Sequence, residues 1–212
     1  MKTAIYALRI IFLLTIAIVL GGVSRAQSPS TVSRNTTGPY GFTCGMSQQA
    51  ITGLVGPLKN EGANLYSTST APNPNPSVGG YSLTISPAQG LVRIQAETDD
   101  IETDGDGAKL IAKFHAIETE LTQQYGKPTS QEDSLKPGSI WAGLDEWTIS
   151  YLKKERTLSS HWVFSNPVGC VTAIELTAIV INPGNGAIDM DFELKGYSSA
   201  LPSQVGKKNA AF

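Results

Sequence analysis

Cysteine and histidine are scarce in this chain of 212 residues, which holds two of each. A zinc site built from these residues needs three or four ligands at recognisable spacing, and neither a CxxC nor an HExxH motif occurs. No phosphate-binding loop, dinucleotide fingerprint or GxSxG nucleophile turn is present either. The sequence therefore lacks the short motifs that identify zinc enzymes, nucleotide-binding enzymes and hydrolases with a serine nucleophile turn.

Long apolar runs are missing beyond the start of the chain. After a positively charged beginning, an apolar run from Ile10 to Leu20 leads to the small-residue sequence Ser24-Arg25-Ala26. This pattern predicts a secretory signal peptide at residues 1–26, cleaved near Ala26. The run is shorter than the ~20 apolar residues that span a bilayer, and no cysteine follows it to carry a lipid. We therefore expect a secreted or periplasmic protein with no stable membrane anchor.

Basic residues do not dominate any long stretch of the chain. The sequence has 16 Lys and Arg against 18 Asp and Glu, and its net charge is −2. The predicted signal peptide carries three of the basic residues and no acid, so the mature chain has a net charge of −5. Nucleic acids and anionic membranes bind clustered Lys and Arg. Neither is therefore an expected partner, and a solvated hairpin tip explains the short cluster Lys153-Lys154-Glu155-Arg156.

The two cysteines are Cys44 and Cys170. An even number of cysteines in an exported chain favours a disulfide, which here would tie the start of the fold to a late strand. Two free thiols and a redox pair are the alternatives, and the lack of a CxxC spacing weakens the redox alternative.

Composition and periodicity divide the chain into four parts. A disordered lead-in at 27–38 is predicted after the signal peptide, because it is polar and rich in Ser, Thr and Pro. One domain at 39–197 follows, and a weakly patterned tail at 198–212 completes the chain.

The sequence of the first part of the domain predicts a helix, then strands, then a second helix. Ser47 precedes a short helix from Gln48 to Val55. A strand lies within 64–71, and alternating apolar residues at 81–85 and 92–96 predict a hairpin. Apolar residues at spacings of three and four then form one stripe, which predicts a helix over 109–125. Its members are Leu110, Ile111, Phe114, Ile117, Leu121 and Tyr125.

The second part predicts four strands, at 147–151, 159–164, 171–181 and 188–194. In the last of them, apolar residues alternate with Asp189, Asp191 and Glu193, so one face is buried and the other is acidic and wet. Because the strands follow one another in hairpins, we predict an α+β fold with a mostly antiparallel sheet packed by two helices. The order also suggests a tandem repeat of a helix followed by strands.

The sequence GFTCGMSQQAITGLVGP at residues 41–57 resembles the opening of small outer-membrane assembly lipoproteins and of domains similar to β-lactamase inhibitory protein. The matching positions are Gly45, Met46, Ser47, Ile51, Val55, Gly56 and Pro57. This resemblance covers 17 residues and implies an α+β domain that binds other proteins. The lipoprotein cysteine is absent, and these families offer no active-site residue to carry over.

The acidic stretch DDIETDGDG at residues 99–107 is the candidate metal site. Asp100, Glu102, Asp104 and Asp106 would supply calcium ligands, but an EF-hand loop also needs a glutamate at position 12, where this chain has Ile111 or Lys113. The alternative is that Asp106 caps the following helix and that its neighbours favour the positive helix end. No other cofactor is indicated.

Two further residues are candidates for contact or chemistry. Trp141 lies in the loop PGSIWAG at 137–143, where a tryptophan has less reason to be buried, so it is the candidate partner contact. His161 follows two serines in a predicted strand, but no catalytic residue can be assigned. The preferred interpretation is a non-catalytic exported protein of the bacterial cell envelope or exterior that binds another protein there. A secreted hydrolase using His161 or a carboxylate pair, and a calcium- or glycan-binding module, are the alternatives.

Overall fold

The structure is a computed structural model, and it describes residues 37–200. The predicted signal peptide, most of the predicted lead-in and residues 201–212 of the predicted tail lie outside the described residues. Thr37, at the end of the predicted lead-in, already pairs with Thr43 in an isolated antiparallel bridge. Within the described part of the chain, no helix has both the length and the apolar character to cross a membrane.

Nine strands and four α-helices occur in residues 37–200, together with 3-10 turns at Pro39–Gly41 and Leu144–Glu146. The strands are β1 Lys59–Gly62, β2 Leu65–Thr68, β3 Val78–Ser86, β4 Gly90–Thr98, β5 Ile101–Glu102, β6 Ser130–Leu135, β7 Arg156–Val168, β8 Val171–Asn182 and β9 Asn185–Leu194. The helices are α1 Gln48–Val55, α2 Ala108–Tyr125, α3 Trp147–Leu152 and α4 Tyr197–Ala200.

All nine strands belong to one antiparallel sheet, which confirms the predicted α+β fold. Eight strands follow the order β1-β2-β3-β4-β9-β8-β7-β6, and β5 pairs with the start of β9. The first four strands and the last four each form a run of neighbours, and the two runs meet where β4 pairs with β9. One helix precedes each run, α1 before β1 and α2 before β6.

The hydrophobic core lies between one face of this sheet and the helices. Helix α2 packs on β8 and β9, and its stripe residues Leu110, Phe114, Ile117 and Leu121 are all buried. The alternating residues Met190 and Phe192 of β9 reach the same core and are 3% and 2% exposed. The predicted burial of these two elements is therefore confirmed.

The ends of the helices follow from single residues. The Ser47 hydroxyl accepts a hydrogen bond from the backbone N–H of Ala50 at 3.2 Å, so α1 begins at the predicted residue. At the start of α2, Gly107 has a φ of 68°, a conformation that glycine adopts without strain. A Cβ there would run into the ring of Trp147, so this glycine also allows α2 and α3 to approach each other.

The prediction of a strand at 147–151 is wrong, because these residues form α3. In the helix, Trp147 and Tyr151 are four residues apart and their rings lie 5.1 Å from each other. The intervening Thr148 and Ser150 are buried, and their hydroxyls donate to the backbone carbonyls of Asp104 and Trp147. The small polar residues that alternate with the large ones are therefore buried in a helix. They are not the solvent-facing residues of a strand.

Cys44 and Cys170 form a disulfide, as predicted, with a Cα–Cα distance of 6.3 Å. Cys44 lies just before α1, and Cys170 lies in the turn between β7 and β8. The bond therefore joins the beginning of the described chain to its later half.

Candidate functional site

The sheet has a second face, which α2 and α3 do not cover. Helices α2 and α3 pack against β7, β8 and β9 on the core side, so the side chains of alternate residues point away from them. We call this side of the sheet the open face. One row of cross-strand neighbours runs over eight strands of it and is polar throughout. Its members are Lys59, Ser67, Ser82, Gln95, Asp191, Glu175, His161 and Ser130.

Five carboxylates gather at the centre of the open face, on β4, β9 and β8. We call them the acidic strip, which consists of Glu97, Glu175, Asp189, Asp191 and Glu193. Asp191 is only 8% exposed and forms a two-point ion pair with Arg93, in which the Nε–Oδ1 distance is 2.7 Å. Among the described residues, the other four carboxylates have no ion-pair partner. The strip therefore keeps an excess of negative charge.

Burial and, after it, the crowding of these carboxylates change their protonation. Burial, and then the charges of Asp191 and Glu97, raise the pKa of Asp189 to about 6. Burial and the charge of Asp191 also raise the pKa of Glu193. A like charge nearby disfavours the ionised form and an opposite charge restores it. A cation placed over the strip would therefore offset the part of these pKa shifts that comes from like charges.

A cavity of about 960 Å³ crosses the first half of the open face. It extends from the end of α1 and the start of β1, over β2, β3 and β4, to Asp189 on β9. Its lining is mostly hydroxyl, amide and carboxylate, and includes Lys59, Ser67, Ser82, Gln95, Glu97, Asp99 and Asp100. Such a surface offers many hydrogen-bonding groups to whatever lies against it.

A smaller depression of about 320 Å³ surrounds His161 on the second half of the same face. Glu175, Asp191 and Glu193 also line it, and the Ser159 hydroxyl lies 3.3 Å from His161 Nε2. However, Ser159 is only 4% exposed and lies within β7, away from any sharp turn. In residues 37–200, no carboxylate forms a hydrogen bond with the His161 ring, so nothing orients it as a general base requires.

The four predicted calcium ligands lie between β5 and the start of α2. The carboxylate of Asp106 accepts a hydrogen bond from the Ala108 backbone N–H at 2.8 Å, as the capping alternative predicted. Glu102 lies 3.8 Å from the Lys109 ammonium group. Asp104 and Asp106 interact with each other, which raises the pKa of Asp104. No group of three or more His, Cys, Asp or Glu side chains within the described residues is arranged to hold a metal ion.

Trp141 is half-buried in the loop between β6 and α3. Its backbone N–H donates to the Ser139 hydroxyl at 3.1 Å. Neighbouring apolar residues in this loop are more exposed, since Ile140 is 79% and Leu144 is 92% accessible. Trp147 and Trp162 are buried, as aromatic residues of the core are expected to be.

Comparison with known proteins does not assign this chain to a family. No protein-family profile, no curated protein and no solved structure matches this chain.

Proposed function

We propose that the protein is an exported, non-catalytic binding protein of the bacterial cell envelope or exterior, and that it binds another protein through its open face. One observation carries this proposal: the side of the sheet away from α2 and α3 presents a continuous polar row over eight strands. The local resemblance at residues 41–57 supports the same class of function.

The size of the open face suits a protein partner. Neighbouring strands lie about 4.8 Å apart and each residue adds about 3.3 Å along a strand. Eight strands span about 34 Å and six residues of a strand span about 20 Å, so the face covers at most roughly 700 Å², since β1 and β2 are shorter than six residues. A specific interface uses about 800 Å² from each partner, so the open face is large enough to form most of one.

The chemistry of the open face selects a cationic partner surface. The acidic strip lies near the middle of the sheet, where β4 meets β9, and four of its five carboxylates have no ion-pair partner among the described residues. Complementary charge steers association and fixes the register of a complex. A partner that presents Lys or Arg side chains to β4, β9 and β8 would meet this pattern.

Reversal of charge on the open face tests the proposal. Glu97 and Glu175 are both exposed, so the double variant Glu97→Lys/Glu175→Lys should fold normally. We expect the immobilised variant to capture at least tenfold less partner than the immobilised wild-type protein does from the exported proteins of the native host. Glu120→Lys is the matched control, because Glu120 is exposed on α2 at the helix side. Equal capture by both variants would contradict a role for the open face.

A secreted hydrolase is the second candidate, since the depression around His161 brings a serine and three acids close to one histidine. A panel of chromogenic esters and glycosides tests it directly. Turnover that disappears in His161→Ala would support the hydrolase, and identical background rates for both proteins would remove it.

Calcium binding at Asp100, Glu102, Asp104 and Asp106 stays a prediction. A ligand that binds only the folded state raises the melting temperature. Melting scans with calcium and with a chelator therefore decide whether this acidic stretch is a metal site or only a helix start.

A further inference from the structure

We propose that a cavity on the side of the sheet that faces α2 binds a small organic cation, such as a quaternary or alkylated ammonium group. The cavity has a volume of about 380 Å³ and lies between the turn at Pro39–Gly41, the loop at 73–76, the second half of α2 and strand β9. The core residues Met190 and Phe192 of β9 line it. Since the open face is the opposite side of the sheet, this proposal does not rest on the proposed function.

Three aromatic rings surround the cavity. The ring of Phe192 lies 5.7 Å from that of Tyr40 and 6.3 Å from that of Tyr125, measured between ring centroids. Phe192 is buried, whereas Tyr40 and Tyr125 are only partly buried and form more accessible walls. The face of an aromatic ring attracts a cation that lies within about 6 Å of the ring centre. The three rings therefore form the kind of surface that binds ammonium groups.

The charge around the cavity is negative. Glu120 lines it and is exposed, and within residues 37–200 it has no ion-pair partner. None of the described residues that line the cavity is basic. Burial raises the pKa of Tyr40, and the charges of its neighbours, Asp189 and Glu120 among them, raise it further. Since negative charge already acts on this ring, a cation in the cavity is favoured over an anion.

The walls of the cavity are held in place by the backbone. Tyr40 has a φ of 56°, a left-handed conformation that is unfavourable for a residue with a side chain and that recurs at functional sites. Its carbonyl accepts a hydrogen bond from the Asn73 N–H at 2.9 Å, and the Asn75 N–H donates to the Tyr81 hydroxyl at 3.2 Å. The two prolines of the loop at 73–76 have fixed φ angles. The cavity is therefore preformed, which reduces the entropy lost on binding.

The size and the lining of the cavity suit a small molecule. Small-molecule sites have volumes of about 300–1,000 Å³, and they combine a largely apolar and aromatic lining with a few polar groups. Here Gln124 and Asn75 supply amide groups beside the rings and the Glu120 carboxylate. Such amides can bind a hydroxyl group on the ligand, so a hydroxylated ammonium compound such as choline matches this chemistry.

Choline and 3,3-dimethyl-1-butanol test the proposal as a pair, because they have nearly the same shape and only choline is charged. In amide NMR titrations of the purified protein, we expect choline to shift the amides of Tyr40 and Tyr125. The butanol should bind at least about tenfold more weakly. Glu120→Gln should weaken choline binding about threefold to tenfold. Glu132→Gln, at an exposed position on β6, is the matched control and should bind choline as the wild type does.

Two replacements at Tyr125 separate the ring from the rest of the side chain. Tyr125→Leu keeps an apolar side chain without the ring, and should weaken choline binding about fivefold while changing binding of the butanol little. Tyr125→Phe keeps the ring and should retain choline binding. Melting temperatures of both variants establish that they are folded.

Three results would overturn the proposal. Equal affinity for the two probes would show that the cavity does not select a positive charge. The absence of any shift with choline up to about 50 mM would show that the cavity binds no such cation. Shifts of Glu97 and Glu175 without shifts of Tyr40 and Tyr125 would place the cation on the acidic strip instead.

Discussion

Asp189 and Glu118 are two partly buried carboxyl groups whose surroundings act in opposite directions. Burial and two neighbouring carboxylates raise the pKa of Asp189. Burial also opposes ionisation of Glu118, but hydrogen bonds from Ser160, Gln131 and His115 outweigh it and hold the pKa of Glu118 below its usual value. We therefore expect the two residues to change the free energy of unfolding in opposite directions as the pH rises.

Replacing Asp189 by asparagine should stabilise the protein at neutral pH. The pKa of Asp189 is about 6 in the folded protein against 3.8 for a free aspartate side chain, so its ionisation costs stability above pH 6 and the cost fades as the pH falls to 4. Two pKa units correspond to about 2.7 kcal/mol, which solvent screening of this half-buried group reduces to about 1–2 kcal/mol. Urea unfolding at pH 7.5 and pH 4 measures the gain.

The exposed Asp145 provides the matched control for this change. Asp145→Asn should alter the free energy of unfolding little at either pH. A gain for Asp189→Asn that is equally large at pH 4 would show that ionisation of Asp189 is not its cause.

Replacing Glu118 by glutamine should destabilise the protein at neutral pH. The Glu118 carboxylate accepts hydrogen bonds from Gln131 at 2.6 Å and from the buried Ser160 hydroxyl, and thereby joins α2 to β6 and β7. Hydrogen bonds to a charged group contribute about 1.5–3 kcal/mol, so a loss of about 2 kcal/mol is expected.

The pH dependence identifies the cause of that loss. Because the folded pKa of Glu118 is lowered, its stabilisation is complete above the unfolded pKa and disappears as the pH falls through the folded pKa. The difference between Glu118→Gln and wild type should therefore shrink at pH 3. Glu120→Gln, two residues further along α2 and exposed, should cost little. A loss independent of pH would refute the charged network.

At the scale of elements, α2 holds the helix layer on the sheet. Phe114 is 1% exposed in the middle of its apolar stripe, so Phe114→Ala leaves a cavity in the core. Such changes cost about 3–5 kcal/mol, and thermal or urea unfolding measures this. Gln123→Ala on the exposed side of α2 is the control. A loss below about 1 kcal/mol would place Phe114 outside the main core.

Elements with a strong apolar period were predictable, and polar or very short ones were not. The stripe of α2 and the alternation in β3, β4 and β9 each follow from one buried face, and their positions agree with the structure. The strands β1 and β6 were missed, because KNEG and SQEDSL lie at the edges of the sheet and bury almost nothing. The burial of Glu118 follows only from the proximity of β6 and β7, which no pattern within α2 indicates.

At the scale of the whole molecule, the acidic strip depends on strand register. The alternation in β9 predicted that Asp189, Asp191 and Glu193 share one face. That Glu97 and Glu175 lie next to them follows only from the pairing of β4 with β9 and of β9 with β8. These residues are far apart in sequence, and a hydrophobic pattern within one strand carries no information about its neighbours.

The disulfide acts on the whole chain as well. Cys44 and Cys170 are 126 residues apart, and in the chain-entropy model a loop of this length stabilises the folded state by about 5 kcal/mol. The variant Cys44→Ser/Cys170→Ser should therefore show a much lower urea midpoint than the oxidised protein. Wild-type protein treated with reductant should match it. Equal midpoints for the oxidised protein and the variant would contradict this contribution.

The two edge strands of the sheet, β1 and β6, both carry charged side chains. At one margin β1 carries Lys59 and Glu61, and at the other β6 carries Glu132 and Asp133. Charged side chains on short margins discourage foreign strands from adding to the ladder. The sheet is thus long enough to offer a broad surface, while the charged borders disfavour edge-to-edge pairing between separate molecules.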